Sequence, residues 1–354
     1  MDLFGARRER ARTALAELGA DGLLITTLVN VRYLTGFSGS NGAFALGSDG
    51  SGTLFTDGRY GEQAAAECPG VDVVIARDLL AAAAESMSGS WAVETHTLSV
   101  DEHAALVEAT NGVDLLPASR LVERLREVKD AAEIECLKRA CAISVEALAD
   151  LLTQPFAGRT ERAVARDLEW RMFERGAEAL AFETIVASGP NSAIPHHRPT
   201  DRAIEAGDLV KIDFGARVDG YHADCTRTFV VGPPADWQQE IHAAVQASQA
   251  AGVEALRTGV QVADVDHAAR SVLEEAGWLT YFTTGVGHGV GLEIHEDPYI
   301  GVRNAGKLAA CTTVTMEPGI YLPGRGGVRI EDTVLVGDTP QVLTPMTTDL
   351  LEIA

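Results

Sequence analysis

The spacing of hydrophobic and polar residues divides the chain into two parts. In residues 1–127, short apolar runs alternate with stretches of helical periodicity, which is typical of a compact α/β domain. The segment ARTALAEL predicts a helix. From Ala131 onward apolar residues recur at helical spacing, so we place a second domain at residues 128–354. In the first domain, strands are predicted at GLLITT (22–27), VDVVI (71–75) and LSV (98–100).

The second domain contains an internal repeat. Each half has two stretches of helical periodicity followed by a strand-rich segment, and the helices are predicted at about 131–155, 160–175, 236–257 and 262–276. Both strand-rich segments place an acid before a glycine on one strand and an acid before a threonine on the next. The corresponding motifs are Asp213-x-Gly215 with Glu317-x-Gly319, and Asp224-x-Thr226 with Glu331-x-Thr333. One such match could be a coincidence in an acid-rich chain, but the doubled pattern favours a duplicated fold.

Composition limits the class of protein. Hydrophobic residues make up 46% of the 354 residues, as in an ordinary globular protein. The 29 basic and 51 acidic residues give a formal net charge of −22, which argues against nucleic acid or an anionic membrane as a partner. Five scattered cysteines predict no disulfide framework, and we find neither an apolar signal segment nor a stretch long enough to span a bilayer. We therefore expect a cytoplasmic protein.

The two acids of the first hairpin should meet on one sheet face. If Asp219–Gly220 forms a two-residue turn, Asp213 pairs with Thr226 and Asp224 pairs with Gly215. The two carboxylates are then diagonal neighbours, roughly 7 Å apart at the backbone. Carboxylates on an apolar strand pair are costly to bury in ionised form unless a cation lies between them. The pattern therefore predicts a buried cation.

The second hairpin offers Glu317 and Glu331 in the same manner. Arg329 shares a strand face with Glu331, and its guanidinium can orient a carboxylate there. Four carboxylates around one cleft require about four positive charges, which two divalent cations supply. Oxygen ligands with at most one histidine favour Mn²⁺ or Co²⁺, with Zn²⁺ as the remaining candidate.

The segment GVGHGVGLEIHEDPYIG (285–301) fits neither of two common motifs. Its glycines lack the GxGxxG spacing of a dinucleotide loop, and its His-Glu pair is not followed by the second histidine of HExxH. The chain also contains no GxSxG elbow of a serine hydrolase. Gly287 and Gly289 leave room for a ligand or another strand beside His288, which is the candidate metal ligand. His295, seven residues on, would point to the opposite side of an extended chain and have a different role.

Several motifs together resemble one known family. The runs IDFGARVDGYHADCTRTFVVG, GVGHGVGLEIHE, MEPGIY and GGVRIEDT are similar to the proline-specific pita-bread metallopeptidases, and NVRYLTGFSGSNGA is similar to their N-terminal domain. The family includes Xaa-Pro aminopeptidases (aminopeptidase P) and Xaa-Pro dipeptidases (prolidases), which are relatives of creatinase. The resemblance implies an α+β pita-bread catalytic domain with a pseudo-two-fold repeat at 128–354, preceded by a creatinase-like α/β domain at 1–127. It also implies a homodimer.

The resemblance assigns a set of metal ligands. It implies two divalent ions, with manganese favoured, bound by Asp213, Asp224, His288, Glu317 and Glu331. Asp224 and Glu331 would bridge the ions, Asp213 would hold one of them, and His288 with Glu317 would hold the other. Glu317 would also shuttle a proton during the reaction.

Three further residues receive active-site roles from the resemblance. His196 lies in the segment ASGPNSAIPHHRPT (187–200), for which composition alone predicts an exposed loop, and it matches a substrate-side histidine of the family. His295 matches the second such histidine, and Arg329 matches the arginine next to the last ligand. The two histidines would stabilise the tetrahedral oxyanion or hold the proline side of the substrate. His197 becomes the weaker candidate.

The expected reaction is hydrolysis of the Xaa-Pro bond at the N-terminus of proline-containing peptides. Some prolidases have an arginine shortly after the His-Glu pair, whereas this chain has Tyr299 there, which favours aminopeptidase P. The alternative is an Xaa-Pro dipeptidase, in which Arg198, Arg202, or a residue of the N-terminal domain or a partner chain holds the substrate carboxylate. A third hypothesis is a metal-free pseudoenzyme or binding module, against which the intact acids and His288 argue.

Overall fold

The computed structural model describes residues 3–110 and 112–354, and the chain divides into two compact units between Arg126 and Glu127. The strands of the N-terminal unit are β1 (Gly22–Ile25), β2 (Gly42–Gly47), β3 (Gly52–Thr56), β4 (Asp72–Ile75), β5 (Ser90–Val93) and β6 (Asp114–Pro117). They form one mixed sheet with the order β4-β3-β2-β1-β5-β6. The helices are α1 (Leu3–Leu18), α2 (Leu28–Thr35), α3 (Gly61–Glu67), α4 (Leu79–Ala84), α5 (Val100–Thr110) and α6 (Leu121–Glu127).

The strand predictions in this unit are confirmed at β1 and β4 and wrong at 98–100. Val100 begins helix α5, because Ser99 and Glu102 form a capping box. The Ser99 N–H donates to Glu102 Oε2 at 2.8 Å, and the Glu102 N–H donates to Ser99 Oγ at 3.2 Å. The strand of this region lies earlier, at Ser90–Val93, where it pairs in parallel with β1. A short apolar run next to Ser-x-x-Glu therefore marks a helix start here.

The C-terminal unit contains four long helices: α7 (Ala131–Leu151), α8 (Glu161–Glu174), α9 (Asp236–Ala255) and α10 (Val262–Glu275). All four predicted helices are confirmed, each slightly shorter than predicted. Asp130 fixes the start of α7, because its carboxylate accepts from the backbone N–H groups of Ala132 and Glu133 while Glu133 caps the Asp130 N–H in return. Thr160 caps α8 through a bond from the Ala163 N–H to its hydroxyl oxygen.

Strands follow each helix pair. In the first half they are β7 (Ala179–Leu180), β8 (Ile185–Ser188), β9 (Leu209–Phe214), β10 (Ala216–Val218), β11 (Tyr221–His222) and β12 (Cys225–Val231). In the second half they are β13 (Gly287–Gly289), β14 (Glu296–Ile300), β15 (Thr313–Met316), β16 (Gly319–Leu322), β17 (Gly326–Arg329), β18 (Asp332–Leu335) and β19 (Gln341–Val342). The last strand, β20 (Glu352–Ile353), pairs in parallel with β12 of the first half.

The first hairpin has the predicted register. Asp213 pairs with Thr226, and the two residues that flank the Asp219–Gly220 turn pair with each other. Asp219 and Gly220 have φ values of 51° and 84°, and two consecutive positive φ values are what a type I′ turn requires.

Both hairpins are interrupted near their acids. In the first, the ladder breaks between β9 and β10 at Gly215 and between β11 and β12 at Ala223 and Asp224. In the second, it breaks next to Glu317 and Glu331. A break relaxes the strict alternation of side chains along a strand. Acids at these breaks can therefore turn toward one cavity.

The C-terminal unit has two hydrophobic cores, one centred on each half of the repeat. One core includes Leu148, Leu168 and Phe214, and the other includes Val245 and Val314.

All five cysteines of the chain are free. Among the described helices, none is long and apolar enough to cross a membrane.

Candidate active site

The residues predicted for the site line one cavity of about 650 Å³ in the C-terminal unit. They come from both hairpins, from β13 and from the loops before β9 and β14, and they are Asp213, Asp224, His288, Glu317, Glu331, His196, His295 and Arg329. The acids of both halves of the repeat therefore share one cavity.

Asp213 lies on the fully buried strand β9, and its two carboxylate oxygens have different surroundings. Oδ2 accepts a hydrogen bond from Arg329 Nη2. Oδ1 is buried and has no hydrogen-bond partner among the described residues. A buried carboxylate oxygen without a donor is costly. A cation next to Oδ1 would remove that cost, so the atom fits the role of a metal ligand.

Arg329 connects the two hairpins. Besides Asp213, it donates from Nε to Thr226 Oγ1 at 3.1 Å and from Nη1 to the Tyr321 hydroxyl at 2.8 Å. The carboxylate that Arg329 binds thus belongs to the other half of the repeat. The hydrogen bonds of Arg329 fix the orientation of Asp213 at the edge of the cavity.

The threonines of the repeat hold the acids in a reciprocal way. Glu331 donates its backbone N–H to Thr226 O at 3.0 Å and accepts from the Thr226 hydroxyl at Oε2 at 2.6 Å. In the other direction, the Thr333 hydroxyl donates to the backbone carbonyl of Asp224 at 2.8 Å. Each Asp/Glu-x-Thr motif therefore supports the acid of the other. Thr226 and Thr333 were visible in the repeat, but nothing in the sequence indicated this cross-support.

His288 presents one ring nitrogen to the acids. Its Nδ1 lies 2.9 Å from the Gly289 carbonyl oxygen, which can only accept, so Nδ1 carries the proton in this contact. Nε2 then faces Glu317 Oε1 at 3.3 Å and Asp224 Oδ2 at 3.7 Å. Burial lowers the pKa of His288, which favours the neutral ring. A neutral imidazole with a free Nε2 beside carboxylates is a metal-ligand arrangement.

The glycines beside His288 leave room for neighbouring strands, as predicted. A β carbon at Gly287 would lie 2.0 Å from the Thr315 carbonyl oxygen, and one at Gly289 would lie 2.3 Å from the Asp297 carbonyl oxygen. Strands β14 and β15 pair with β13 on its two sides. Only glycine permits this approach, and the close packing holds His288 in the cavity.

Burial and repulsion between carboxylates raise the pKa values of three acids, Asp224, Glu317 and Glu331. Burial raises the pKa of Asp224 and Glu331 well above the usual range, and repulsion from neighbouring carboxylates adds to the shift. Burial also raises the pKa of Glu317 to about 7. Ligand atoms of Asp224, His288 and Glu331 lie within 4.8 Å of one another. A divalent cation would reverse this repulsion, so the cluster has the chemistry of a metal site.

The expectation that His288 and His295 lie on opposite sides of the chain is wrong. Their ring centroids are 4.4 Å apart, with the planes at 80° in an edge-to-face contact. The prediction assumed an extended chain, whereas residues 291–295 bend before β14 begins at Glu296. His295 therefore reaches the cavity next to the candidate ligand.

His196 and His197 point to different surroundings. Both contribute to the lining of the cavity, but His196 is exposed, whereas His197 is only 8% exposed and donates from Nε2 to Glu161 Oε2 at 2.8 Å. The prediction of an exposed loop is therefore wrong for His197. A buried carboxylate lies beneath the loop and fixes it.

That carboxylate, Glu161, was not identified from the sequence. It also accepts hydrogen bonds from Ser188, Asn191 and Thr200, at distances of 2.7–3.0 Å. Although burial opposes the shift, these bonds lower the pKa of Glu161 to about 2. The donors lie far along the chain from Glu161, so local sequence carries no signal for them.

Lys211 is a second residue that the sequence did not reveal. It is fully buried on β9, and its Nζ donates to the carbonyl oxygens of Ile194 at 2.7 Å and Pro195 at 3.2 Å. Arg329 Nη1 also donates to Pro195 O at 3.2 Å. Two buried basic side chains thus hold the backbone that directly precedes His196.

Comparison with known proteins agrees with this architecture. The sequence profile of the Creatinase/Prolidase N-terminal domain matches residues 7–128, and that of Metallopeptidase family M24 matches residues 135–338. An Xaa-Pro dipeptidase of Pyrococcus furiosus is 37% identical over 330 residues, which cover 93% of this chain and 94% of that protein.

Solved structures show the same likeness. An Xaa-Pro dipeptidase from Bacillus anthracis matches with a TM-score of 0.94 at 36% identity, covering 98% of this chain and 99% of the other. An X-Pro aminopeptidase from Thermotoga maritima matches with a TM-score of 0.91 at 34% identity and the same coverage. The fold is therefore the predicted pita-bread fold with a creatinase-type N-terminal domain, and the chain belongs to Metallopeptidase family M24.

Proposed function

We propose that the chain is an Xaa-Pro dipeptidase that uses two divalent metal ions. One observation carries the proposal: four carboxylates and a neutral imidazole from both halves of the repeat converge in the cavity of a chain whose full-length relatives include Xaa-Pro dipeptidases. The sequence favoured aminopeptidase P because of Tyr299. The relatives favour the dipeptidase, which was the alternative.

We assign the five residues of the cluster as the metal ligands: Asp213, Asp224, His288, Glu317 and Glu331. The oxygen-rich set favours Mn²⁺, with Co²⁺ and Zn²⁺ as the other candidates. Bound there, the two cations would polarise the scissile carbonyl and activate a water molecule for attack.

Glu317 is the proton carrier in this proposal. Its carboxylate lines the cavity beside His288, so it can accept a proton from the attacking water and pass it to the departing proline nitrogen. That nitrogen belongs to a tertiary amide and must gain a proton to leave as a free amine. His196 and His295 line the same cavity and donate hydrogen bonds to the developing oxyanion.

Recognition of proline has to use shape, because the Xaa-Pro bond has no N–H to bind. Apolar side chains of Phe182, Ile185 and Ile294 also line the cavity. They can pack against the ring carbons, which is the contact that distinguishes proline from a residue with a polar side chain.

The test compares Ala-Pro, Ala-Pro-Ala and Ala-Ala as substrates of the Mn²⁺-loaded protein, with proline or alanine release as the measured quantity. We expect Ala-Pro to be cleaved with the highest kcat/KM and Ala-Ala to be left intact. Preferred cleavage of Ala-Pro-Ala would assign the chain to the aminopeptidase branch. Absence of any proline-dependent cleavage would overturn the proposal.

We also propose a homodimer, for which light scattering should give twice the mass of one chain.

A further inference from the structure

Arg198 lies at the mouth of the cavity and is not part of the acid cluster. Its side chain is 86% exposed, and its Nε lies 3.2 Å from Oε2 of Glu183, which is 79% exposed. Both residues line the cavity. An ion pair between two groups so open to solvent contributes little. Arg198 can therefore exchange Glu183 for another carboxylate at small cost.

The other arginines near the site are already engaged. Arg329 lines the cavity, but it is buried and bound to Asp213 and Tyr321. Arg202 is bound to Asp208 and does not line the cavity. Among the described cavity residues, Arg198 is thus the arginine that an incoming anion can reach.

Arg198 lies on the same anchored loop as His196. His196 and Arg198 are exposed and line the cavity, and the buried His197 between them also contributes to the lining. Glu161 holds His197 at 2.8 Å from below the loop. This anchor fixes the stretch of backbone from which Arg198 reaches the cavity.

A dipeptide carries a feature that a longer peptide lacks, namely a free carboxylate on the residue that follows the scissile bond. Tyr299 supplies no charge for that group. We propose that Arg198 binds the C-terminal carboxylate of an Xaa-Pro dipeptide and thereby sets the preference for dipeptides over longer peptides. This inference rests on the proposed function. Glu183 holds Arg198 in the absence of substrate and is displaced by the substrate carboxylate.

The test uses Ala-Pro and its C-terminal amide, which differ only in the negative charge. In the Mn²⁺-loaded Arg198→Met variant, we expect the ratio of kcat/KM for Ala-Pro to that for the amide to fall roughly tenfold, mostly through KM, because a charge-assisted hydrogen bond is lost. Arg198→Lys should recover part of the ratio, since it keeps the charge without the planar fork. Glu183→Gln should lower KM for Ala-Pro, because the competing carboxylate is removed.

The matched control is Arg257→Met, which removes an exposed arginine outside the cavity that pairs with Glu254. The control should keep the wild-type ratio. An unchanged ratio in Arg198→Met, or an equal loss on both substrates, would overturn the assignment.

Failure of the proposed function is a separate outcome. If the wild type cleaves neither compound, both can serve as stable ligands in calorimetry. Weaker binding of Ala-Pro, but not of the amide, to Arg198→Met would then still support the carboxylate contact. Equal binding of both compounds to the variant and the wild type would refute it.

Discussion

The C-terminal unit buries acidic side chains in two places with opposite consequences. Glu161 is completely buried, yet donors from four residues hold its pKa down at about 2. Glu331 is 2% exposed and accepts from Thr226, but it lies among other carboxylates, and burial raises its pKa well above the usual range. The comparison shows that burial by itself does not decide the charge of an acid. The supply of donors around it does.

The same contrast separates a structural acid from one prepared for a cation. Glu161 has its partners within the chain and fixes the loop that carries His196 and Arg198. The cluster acids lack sufficient donors, and Asp213 Oδ1 has none among the described residues. A folded protein that keeps such a cluster sacrifices stability for function. Substitutions in the two places should therefore change the stability of the metal-free protein in opposite directions.

The largest effect is expected for Glu331→Gln. Loss of one ligand charge should reduce kcat/KM for Ala-Pro by about a thousandfold and lower the metal content of the purified protein. The thermal midpoint of the metal-free variant should equal or exceed that of the metal-free wild type, because one source of repulsion is gone. Exposed Glu254→Gln is the matched control. Turnover at the wild-type level in Glu331→Gln would count against the metal site.

Glu161→Gln should have the opposite effect on stability. The glutamine amide cannot satisfy all the donors that now converge on the carboxylate, so we expect a loss of about 3 kcal/mol in the free energy of unfolding at pH 7. Urea denaturation measures this loss. Glu178→Gln, on a half-exposed acid that binds Arg217, should cost less than about 1 kcal/mol.

The pH dependence of Glu161 follows from its lowered pKa of about 2. Its stabilisation is present above the ordinary carboxyl pKa and is lost as the pH falls from about 4.5 toward 2. The difference in unfolding free energy between wild type and Glu161→Gln should therefore shrink at pH 3. A constant difference from pH 7 to pH 3 would contradict the role of the ionised group.

Glu317 should show the reverse trend in the metal-free protein. Its pKa is raised to about 7, so the folded state binds more protons than the unfolded state between about pH 4.5 and 7, and stability falls as the pH rises through this window. After chelator treatment, Glu317→Gln should be more stable than wild type by about 2 kcal/mol at pH 8. At pH 5 the two should be nearly equal. Denaturation at both pH values tests this, and equal stability at pH 8 would contradict it.

The smallest effect is expected for Lys211→Met. The substitution removes two hydrogen bonds that hold the backbone before His196, so kcat should fall about tenfold through poorer placement of that histidine. The thermal midpoint should stay the same or rise, because a buried ammonium group is costly. Wild-type kcat in this variant would show that Arg329 and Glu161 hold the loop without Lys211.

Predictions based on a turn signal or on strand alternation succeeded, and those that overlooked a helix cap or a bend in the chain failed. The Asp219–Gly220 turn and the alternation of strand residues were enough to pair Asp213 with Thr226. The strand predicted at 98–100 was wrong because Ser99 and Glu102 cap a helix there. The predicted position of His295 was wrong because the chain bends before β14. The seven-residue spacing between His288 and His295 does not reveal this bend.

The amino-acid sequence alone determined the two-part organisation, the duplicated hairpins and the set of acids and histidines at the site. The organisation and the hairpins follow from periodicity, turn signals and the internal repeat, and the full set of acids and histidines follows from the resemblance to a known family. Only the tertiary structure decided which oxygens have donors: Asp213 binds an arginine from the other hairpin, and Glu161 gathers its partners from a distant loop. The physical reason is that the free energy of a buried charge depends on atoms that come together only when the chain folds.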